Sequence, residues 1–230
     1  MTQQVVILAA GMGTRLARPL PKPLTELRDG RSIMKQQFDN LSKAFGAAHR
    51  VMIVVGYKLE AIIERFPEAT FVYNEFYDST NTSKSLLKAL KASGPGGVLW
   101  LNGDVVFDSE VLVRVKPLIE ADQSFVVVNH SKVGEEEVKY TLNPEGYIDE
   151  LSKRVEGALG EAVGINFVSG ADKESLISRL EQVEDSDYFE RGIELAIGSD
   201  GLKFKPVDIS DLFAVEVDFD DDLARANEHV

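Results

Sequence analysis

Short apolar runs alternate with helix-period segments along most of the chain, and no other feature of the sequence restricts the fold so strongly. Val5–Ala10, Val51–Val55, Thr70–Tyr73, Val98–Leu101 and Phe125–Val128 are β-rich and bounded by turn residues. Between them, Ile33–Phe45, Leu59–Phe66, Ser83–Ala92 and Ser109–Ala121 carry apolar residues at helical spacing among good helix formers. This alternation predicts an α/β layer structure around a mostly parallel sheet, with helices on its faces. Beyond residue 130 the pattern changes. Val138–Leu142, the turn Asn143-Pro144-Glu145-Gly146 and Tyr147–Leu151 read as a hairpin. A strand at Val163–Val168, helices near Ala171–Val183 and Tyr188–Ile197, a strand near Leu212–Val217 and a last helix through Leu223–Glu228 follow. No repeat, linker or low-complexity stretch divides residues 1–230, so one domain with a small hairpin-bearing lobe is expected.

Charge narrows the partners. The chain has 25 Lys and Arg against 38 Asp and Glu, a formal net charge of −13, which repels phosphate backbones and anionic lipid. No nucleic acid and no membrane is expected as a partner. Cysteine is absent, and His49, His130 and His229 have no ligand spacing, so thiolate and zinc chemistry are not expected. The opening MTQQVVILAA lacks a basic leader region and is too short an apolar run to span a membrane, so a cytoplasmic location is expected. Within the acidic chain, residues 1–35 are basic: Arg15, Arg18, Lys22, Arg28, Arg31 and Lys35 stand against Glu26 and Asp29. Such a segment suits a small polyanion, or is a solvated charged face.

The segment Leu8-Ala9-Ala10-Gly11-Met12-Gly13-Thr14-Arg15-Leu16 supports the first alternative. A glycine-rich turn directly after a strand lets backbone N–H groups approach a phosphate with no Cβ in the way. It is not the dinucleotide fingerprint, because Leu16 takes the third glycine position and Pro19, Pro21 and Pro23 prevent an immediate helix. It is not a P-loop either, since no Gly-Lys-Ser/Thr follows. Arg15 and Lys22, on a proline-stiffened loop above the glycines, suit a triphosphate whose charge must be offset.

Together with Pro21-Lys22-Pro23-Leu24, this segment closely resembles the opening motif of the sugar-phosphate nucleotidyltransferase superfamily, which makes nucleotide sugars and CDP-alcohols. The resemblance implies a Rossmann-like nucleotide-diphospho-sugar transferase fold. It also implies that residues 8–15 wrap the nucleotide, that Arg15 contacts its phosphates, and that Lys22 approaches the phosphate of the second substrate or the α-phosphate. Further along, Val98-Leu99-Trp100-Leu101-Asn102-Gly103-Asp104 is an apolar strand ending in a carboxylate, which at the carboxyl end of an α/β sheet can reach a hard cation or serve as a turn former. By the resemblance Asp104 is a metal ligand, and Asp218, in Glu216-Val217-Asp218, is its partner for Mg²⁺. Asp220 to Asp222 fit the N-terminus of the last helix, where carboxylates complement the helix dipole.

Residues 74–86 narrow the branch. Asn74, Tyr77, Asn81, Ser85 and Leu86 form a pattern similar to bacterial phosphocholine and inositol-phosphate cytidylyltransferases, and differ from the Gly-Thr-Ala of sugar enzymes. The resemblance implies CTP, with Asn81 and Ser85 near the base; alternatively Thr80 or Asn81 caps the helix. Lys153 matches a lysine of the sugar enzymes and is a candidate for the acceptor phosphate, or a solvated hairpin-end charge. Gly164, in Val163-Gly164-Ile165-Asn166, permits close backbone approach in the acceptor pocket, or marks a bulge. Two aromatic–acidic groups, one of Phe71, Tyr73, Glu75, Phe76, Tyr77 and Asp78 and one of Tyr188, Phe189 and Glu190, suit an alkylated ammonium. The expected reaction is nucleotidyl transfer from CTP to a phosphate monoester or phosphonate such as phosphocholine. Sugar-1-phosphate uridylyl or thymidylyl transfer stands as the alternative. A nucleotide-sugar glycosyltransferase lacks its mid-chain Asp-x-Asp here, and a non-catalytic nucleotide-binding module would not need Arg15, Lys22, Asp104 and Asp218 together.

Overall fold

A computed structural model describes residues 2–13, 15, 16, 18–130 and 137–230. The first half follows the expected alternation: β1 (Gln3–Ala9), a 3-10 turn at Lys22–Leu24, α1 (Ile33–Phe45), β2 (His49–Val55), α2 (Leu59–Arg65), β3 (Thr70–Tyr73), α3 (Thr82–Ala92) and β4 (Val98–Asn102). Then come β5 (Val105–Phe107), α4 (Glu110–Glu120), β6 (Phe125–Asn129), the hairpin β7 (Lys139–Leu142) and β8 (Ile148–Ser152), and the long β9 (Gly160–Val168). The chain closes with α5 (Lys173–Gln182), α6 (Phe189–Asp200), β10 (Lys205–Asp208), β11 (Ala214–Glu216) and α7 (Asp220–Asn227).

The main sheet has the order β10-β6-β9-β4-β1-β2-β3, with the hairpin attached to β9. Its pairings are parallel except where β9 runs antiparallel to both β4 and β6. The mostly parallel α/β fold is thus observed, with one antiparallel strand at its centre. β1 lies mid-sheet and is buried on both sides. Val5, Ile7 and Ala9 join the apolar core that includes α1 and α4 residues, while Val6, Leu8 and Ala10 join the core that includes α3, α5 and α6 residues. Burial on both faces is why this strand is an unbroken apolar run.

Two strands escape the sequence reading. β5 and β10 are only three and four residues long. β5 pairs antiparallel with β11 in a separate ribbon, Val106 opposite Val215. That ribbon carries the C-terminal segment back across the chain after β4. Among the described residues, no helix is long and apolar enough to cross a membrane.

Candidate active site

Three segments meet outside the carboxyl ends of β1 and β4, where open α/β sheets bind ligands. The first is the loop after β1. Gly13 has φ +58°, and a Cβ there would lie 3.2 Å from the Lys22 Cβ, so glycine lets the loop fold back onto Lys22. The second is the turn after β4. The Gly103 N–H donates to the Leu8 carbonyl at 2.9 Å, and a Cβ on Gly103 would meet that oxygen at 2.7 Å, so the turn that sets Asp104 lies directly against β1. The third follows β11, where the Val217 N–H donates to the Asp104 carbonyl at 3.0 Å.

The four expected residues converge. Lys22 Nζ donates to Asp104 Oδ2 at 3.0 Å and to Asp218 Oδ1 at 2.5 Å, and Arg15 Nη1 donates to Asp218 Oδ2 at 2.8 Å. Burial alone would lower the Lys22 pKa, but the charge of Asp104 and the hydrogen bond and charge of Asp218 outweigh it and hold the ammonium well above the ordinary lysine range. Burial likewise acts to raise Asp218, and the Lys22 and Arg15 contacts reverse it, leaving the carboxyl below its usual value. The turn behind Asp104 is braced by α1. Gln37 Nε2 donates to the Asn102 and Val105 carbonyls, and Gln36 and Asn40 both donate to the Phe107 carbonyl. These are buried polar residues whose hydrogen bonds satisfy carbonyls of a non-helical turn.

A cavity of about 450 Å³ opens beside this cluster. Leu8, Ala9, Gly11, Met12, Gly13, Arg15 and Lys22 line it, as the loop motif predicts. Ala10 is buried, and its carbonyl accepts the Tyr57 N–H instead. Thr14 lies outside the described residues. Asn81 lines the cavity and also caps α3, accepting the Thr82 N–H while donating to the Ser186 carbonyl, so the capping alternative is observed at a residue that faces the cavity. Ser85 corrects its expectation. It is buried and accepts a hydrogen bond from Asn74, whose side chain also donates to Thr80, so it anchors residues 74–80 from beneath.

Lys153 and Glu190 also line it, with the Lys153 ammonium 5.0 Å from the Tyr188 ring centroid. Gly164 is a second correction. It does not line the cavity; with φ +68°, a Cβ would lie 2.5 Å from Glu216 Oε1 and 2.7 Å from Asn102 Nδ2, so glycine makes room for that hydrogen-bonded pair. The first aromatic–acidic group disperses. Tyr77 and Asp78 line the cavity, Tyr73 and Phe76 are exposed, Phe71 packs against the core, and Glu75 pairs with Lys88. Tyr188, Phe189 and Glu190 all reach the cavity. Most of the basic excess of residues 1–35 is absorbed elsewhere: Arg31 and Lys35 pair with Asp29 and Asp39, and Arg18 with Asp220.

Sequence reasoning missed Glu216 and Glu137, which line the cavity. The signal for Glu216 was its two-residue spacing from Asp218, which on an extended segment puts both side chains on one face. Burial and the neighbouring Asp104 charge push the Glu216 carboxyl well above its ordinary value, against the lowering hydrogen bond from Asn102. Burial and the Asp218 charge raise Glu137. Burial pushes Glu190 up to about 7. Among the described lining residues, the carboxylates Asp78, Asp104, Glu137, Glu190, Glu216 and Asp218 outnumber the cations Arg15, Lys22 and Lys153.

The residues fit a magnesium ion. No group of three or more acidic, histidine or cysteine ligands occurs among the described residues. Magnesium, however, is commonly held by one or two carboxylates with substrate phosphates and water completing the shell, and Asp104 and Asp218 already converge on one cation, the Lys22 ammonium.

Known proteins resemble the chain over its whole length. A CMP-5'-(3-aminopropyl)phosphonate synthase of Streptomyces rubellomurinus is 27% identical over 247 residues, covering 97% of this chain and 38% of the relative. A 2-aminoethylphosphonate cytidylyltransferase of Lancefieldella rimae is 30% identical over 118 residues, 49% of this chain and 47% of the relative. The chain thus matches less than half the length of these curated relatives. Among solved structures, the inositol-1-phosphate CTP transferase from T. maritima superposes with a TM-score of 0.78 at 18% identity, covering 100% of this chain and 98% of the other. The CTP:phosphocholine cytidylyltransferase from Streptococcus pneumoniae does so at 0.77 and 18%, covering 100% and 99%, so the fold is shared. The glycine loop, the turn bearing Asp104 and most of the sheet fall within residues 5–183, over which the sequence matches the family model, and the chain belongs to the MobA-like NTP transferase domain family.

Proposed function

We propose that this chain is a cytidylyltransferase, moving the nucleotidyl group of CTP onto a small phosphate monoester or phosphonate with release of pyrophosphate. The carrying observation is the cluster of Arg15, Lys22, Asp104 and Asp218 at one end of a 450 Å³ cavity. The match to cytidylyltransferases among both curated relatives and solved structures supports the choice of CTP.

An acceptor oxygen attacks the α-phosphorus in line, and the bond to pyrophosphate breaks. The protein forms no covalent bond in this scheme; it positions two anions and offsets their charge. Glycines 11 and 13 keep the loop close to the triphosphate. Arg15 neutralises charge developing on the pyrophosphate, and Lys22 draws acceptor and α-phosphate together. Both cations are held by carboxylates in the free protein, so nucleotide binding exchanges those carboxylates for phosphate oxygens. Asp104 and Asp218, so released, would hold Mg²⁺, which when bound supplies further positive charge to the phosphates.

The test is pyrophosphate release with each of CTP, UTP, ATP and GTP against aminoalkylphosphonates, choline phosphate, inositol phosphate and glucose-1-phosphate. CTP with a phosphonate or phosphocholine-type acceptor is the expected pair. Preference for UTP with glucose-1-phosphate would overturn base and acceptor but keep nucleotidyl transfer; silence across the matrix would overturn the whole reading.

A further inference from the structure

The turn after β3 presents Tyr77, Asp78, Thr80, Asn81 and Thr82 to the cavity, and most of their polar groups are already bound within the protein. The Thr80 hydroxyl donates to the Phe76 carbonyl at 2.7 Å and accepts from Asn74 at 3.1 Å. Asn81 spends its oxygen on the Thr82 N–H and its amide nitrogen on the Ser186 carbonyl. The Thr82 hydroxyl accepts the Phe189 N–H. Asp78 differs from all of these. It is exposed, lines the cavity, and makes no hydrogen bond or ion pair among the described residues.

The turn that carries Asp78 is fixed from beneath. Buried Asn74 donates to Thr80 and Ser85 and accepts the Phe76 N–H, and the Phe76 carbonyl accepts the Ser79 and Thr80 N–H groups. Tyr77 is seated against the end of β1: a Cβ on Gly56 would lie 2.5 Å from the Tyr77 Cβ and 2.6 Å from the Ala10 carbonyl oxygen. The sheet order then separates two ends of the cavity. Asp104 follows β4 on one side of β1, while this turn follows β3, two strands away on the other side.

A nucleotide whose phosphates face Lys22 and Arg15 on the β4 side has the glycine loop beneath it and the Asp78 turn ahead of its base. Cytosine carries an amino donor at position 4, where uracil carries a carbonyl oxygen. Hydroxyl and amide side chains can serve either group, whereas an ionised carboxylate only accepts. We infer that Asp78 is the residue that chooses the base, its carboxylate accepting the 4-amino group of cytosine and repelling the 4-oxygen of uracil. This rests on the transferase reading of the same cavity, and it gives Asp78 the place near the base that the sequence suggested for Ser85.

Calorimetry with Mg²⁺ and no acceptor tests it, using CTP, UTP and the triphosphate of 2-pyrimidinone riboside, in which hydrogen replaces the amino group. Wild type, Asp78→Asn and Asp78→Ala are compared, and pyrophosphate release is followed with choline phosphate and 2-aminoethylphosphonate. Asp78 is exposed and unpaired, so neither variant is expected to unfold. The expected result is CTP binding about 10- to 100-fold tighter than either other nucleotide in wild type, the size of one charge-assisted hydrogen bond, falling to within a few-fold in both variants. A CTP preference that survives in both variants would overturn the inference and leave CTP as the substrate. Equal loss of all three nucleotides would overturn it too, making Asp78 a support of the turn. Tighter binding of UTP by wild type would overturn both the inference and the choice of CTP. A CTP preference that depends on Asp78, without pyrophosphate release, would support the inference and overturn the transferase reading.

Discussion

Two sets of charged residues lining the cavity are held in opposite ways. On the phosphate side every named charge has a partner: Lys22 bridges Asp104 and Asp218, and Arg15 holds the second oxygen of Asp218. Glu190, also in the lining, is buried with one side-chain oxygen that has no hydrogen-bond partner among the described residues. On the proposed reading, the paired cluster exchanges its carboxylate partners for phosphate oxygens when nucleotide binds, whereas Glu190 is already withdrawn from solvent. The contrast teaches that a cluster of charged residues is not one design. Ion pairs hold the first set of side chains in position without ligand, whereas burial without a full set of partners shifts the protonation of the second.

Removing either carboxylate of the paired side should break the contrast most severely. Asp104→Asn or Asp218→Asn is expected to lower turnover by roughly a thousandfold, because each would take away one of the two carboxylates proposed to hold Mg²⁺, and one partner of Lys22. Urea denaturation should still report a folded chain. Near-normal turnover in both variants with magnesium present would refute this assignment.

Glu190 should reveal itself through pH. A carboxyl raised from 4.5 to about 7 binds more protons in the folded chain than in the unfolded one between those values. Stability from Glu190 is therefore present at low pH and falls as pH rises through that window. Relative to wild type, Glu190→Gln should gain about 3 kcal/mol between pH 5 and pH 8, from a shift of roughly two and a half pKa units. Glu161, raised by burial and Glu137 to about 7, titrates in the same sense in both proteins, so the difference between them is the quantity to read. Parallel stability–pH curves would remove Glu190 from the unpaired side.

Lys22→Met sharpens the comparison with a smaller effect. It should reduce kcat by about a hundredfold and leave nucleotide affinity within a few-fold, since the ammonium matters most when two anions meet. In equilibrium dialysis without nucleotide, the same variant should bind Mg²⁺ more tightly than wild type, because the competing ammonium is gone. A loss confined to nucleotide affinity, with unchanged metal binding, would make Lys22 a simple binding residue.

The amino-acid sequence by itself determined the α/β alternation, the strand-bound glycine loop, and the four residues Arg15, Lys22, Asp104 and Asp218. Each of these is written locally: apolar period, turn chemistry, or a short motif whose residues are neighbours in the chain. Only the tertiary structure decided what those residues touch. Ser85 and Gly164 looked like ligand contacts and proved to be supports, one under the loop at Asn74 and one making room for Asn102 and Glu216. Gln36, Gln37 and Asn40 are polar residues of α1, yet they are buried, donating to the carbonyls of Asn102, Val105 and Phe107 across the β4–β5 connection. Glu190 likewise carries no local sign that it is buried. Its burial comes from α6 packing beside the cavity, 168 positions away from Lys22 in the chain; solvation depends on distant neighbours, and sequence spacing does not record them.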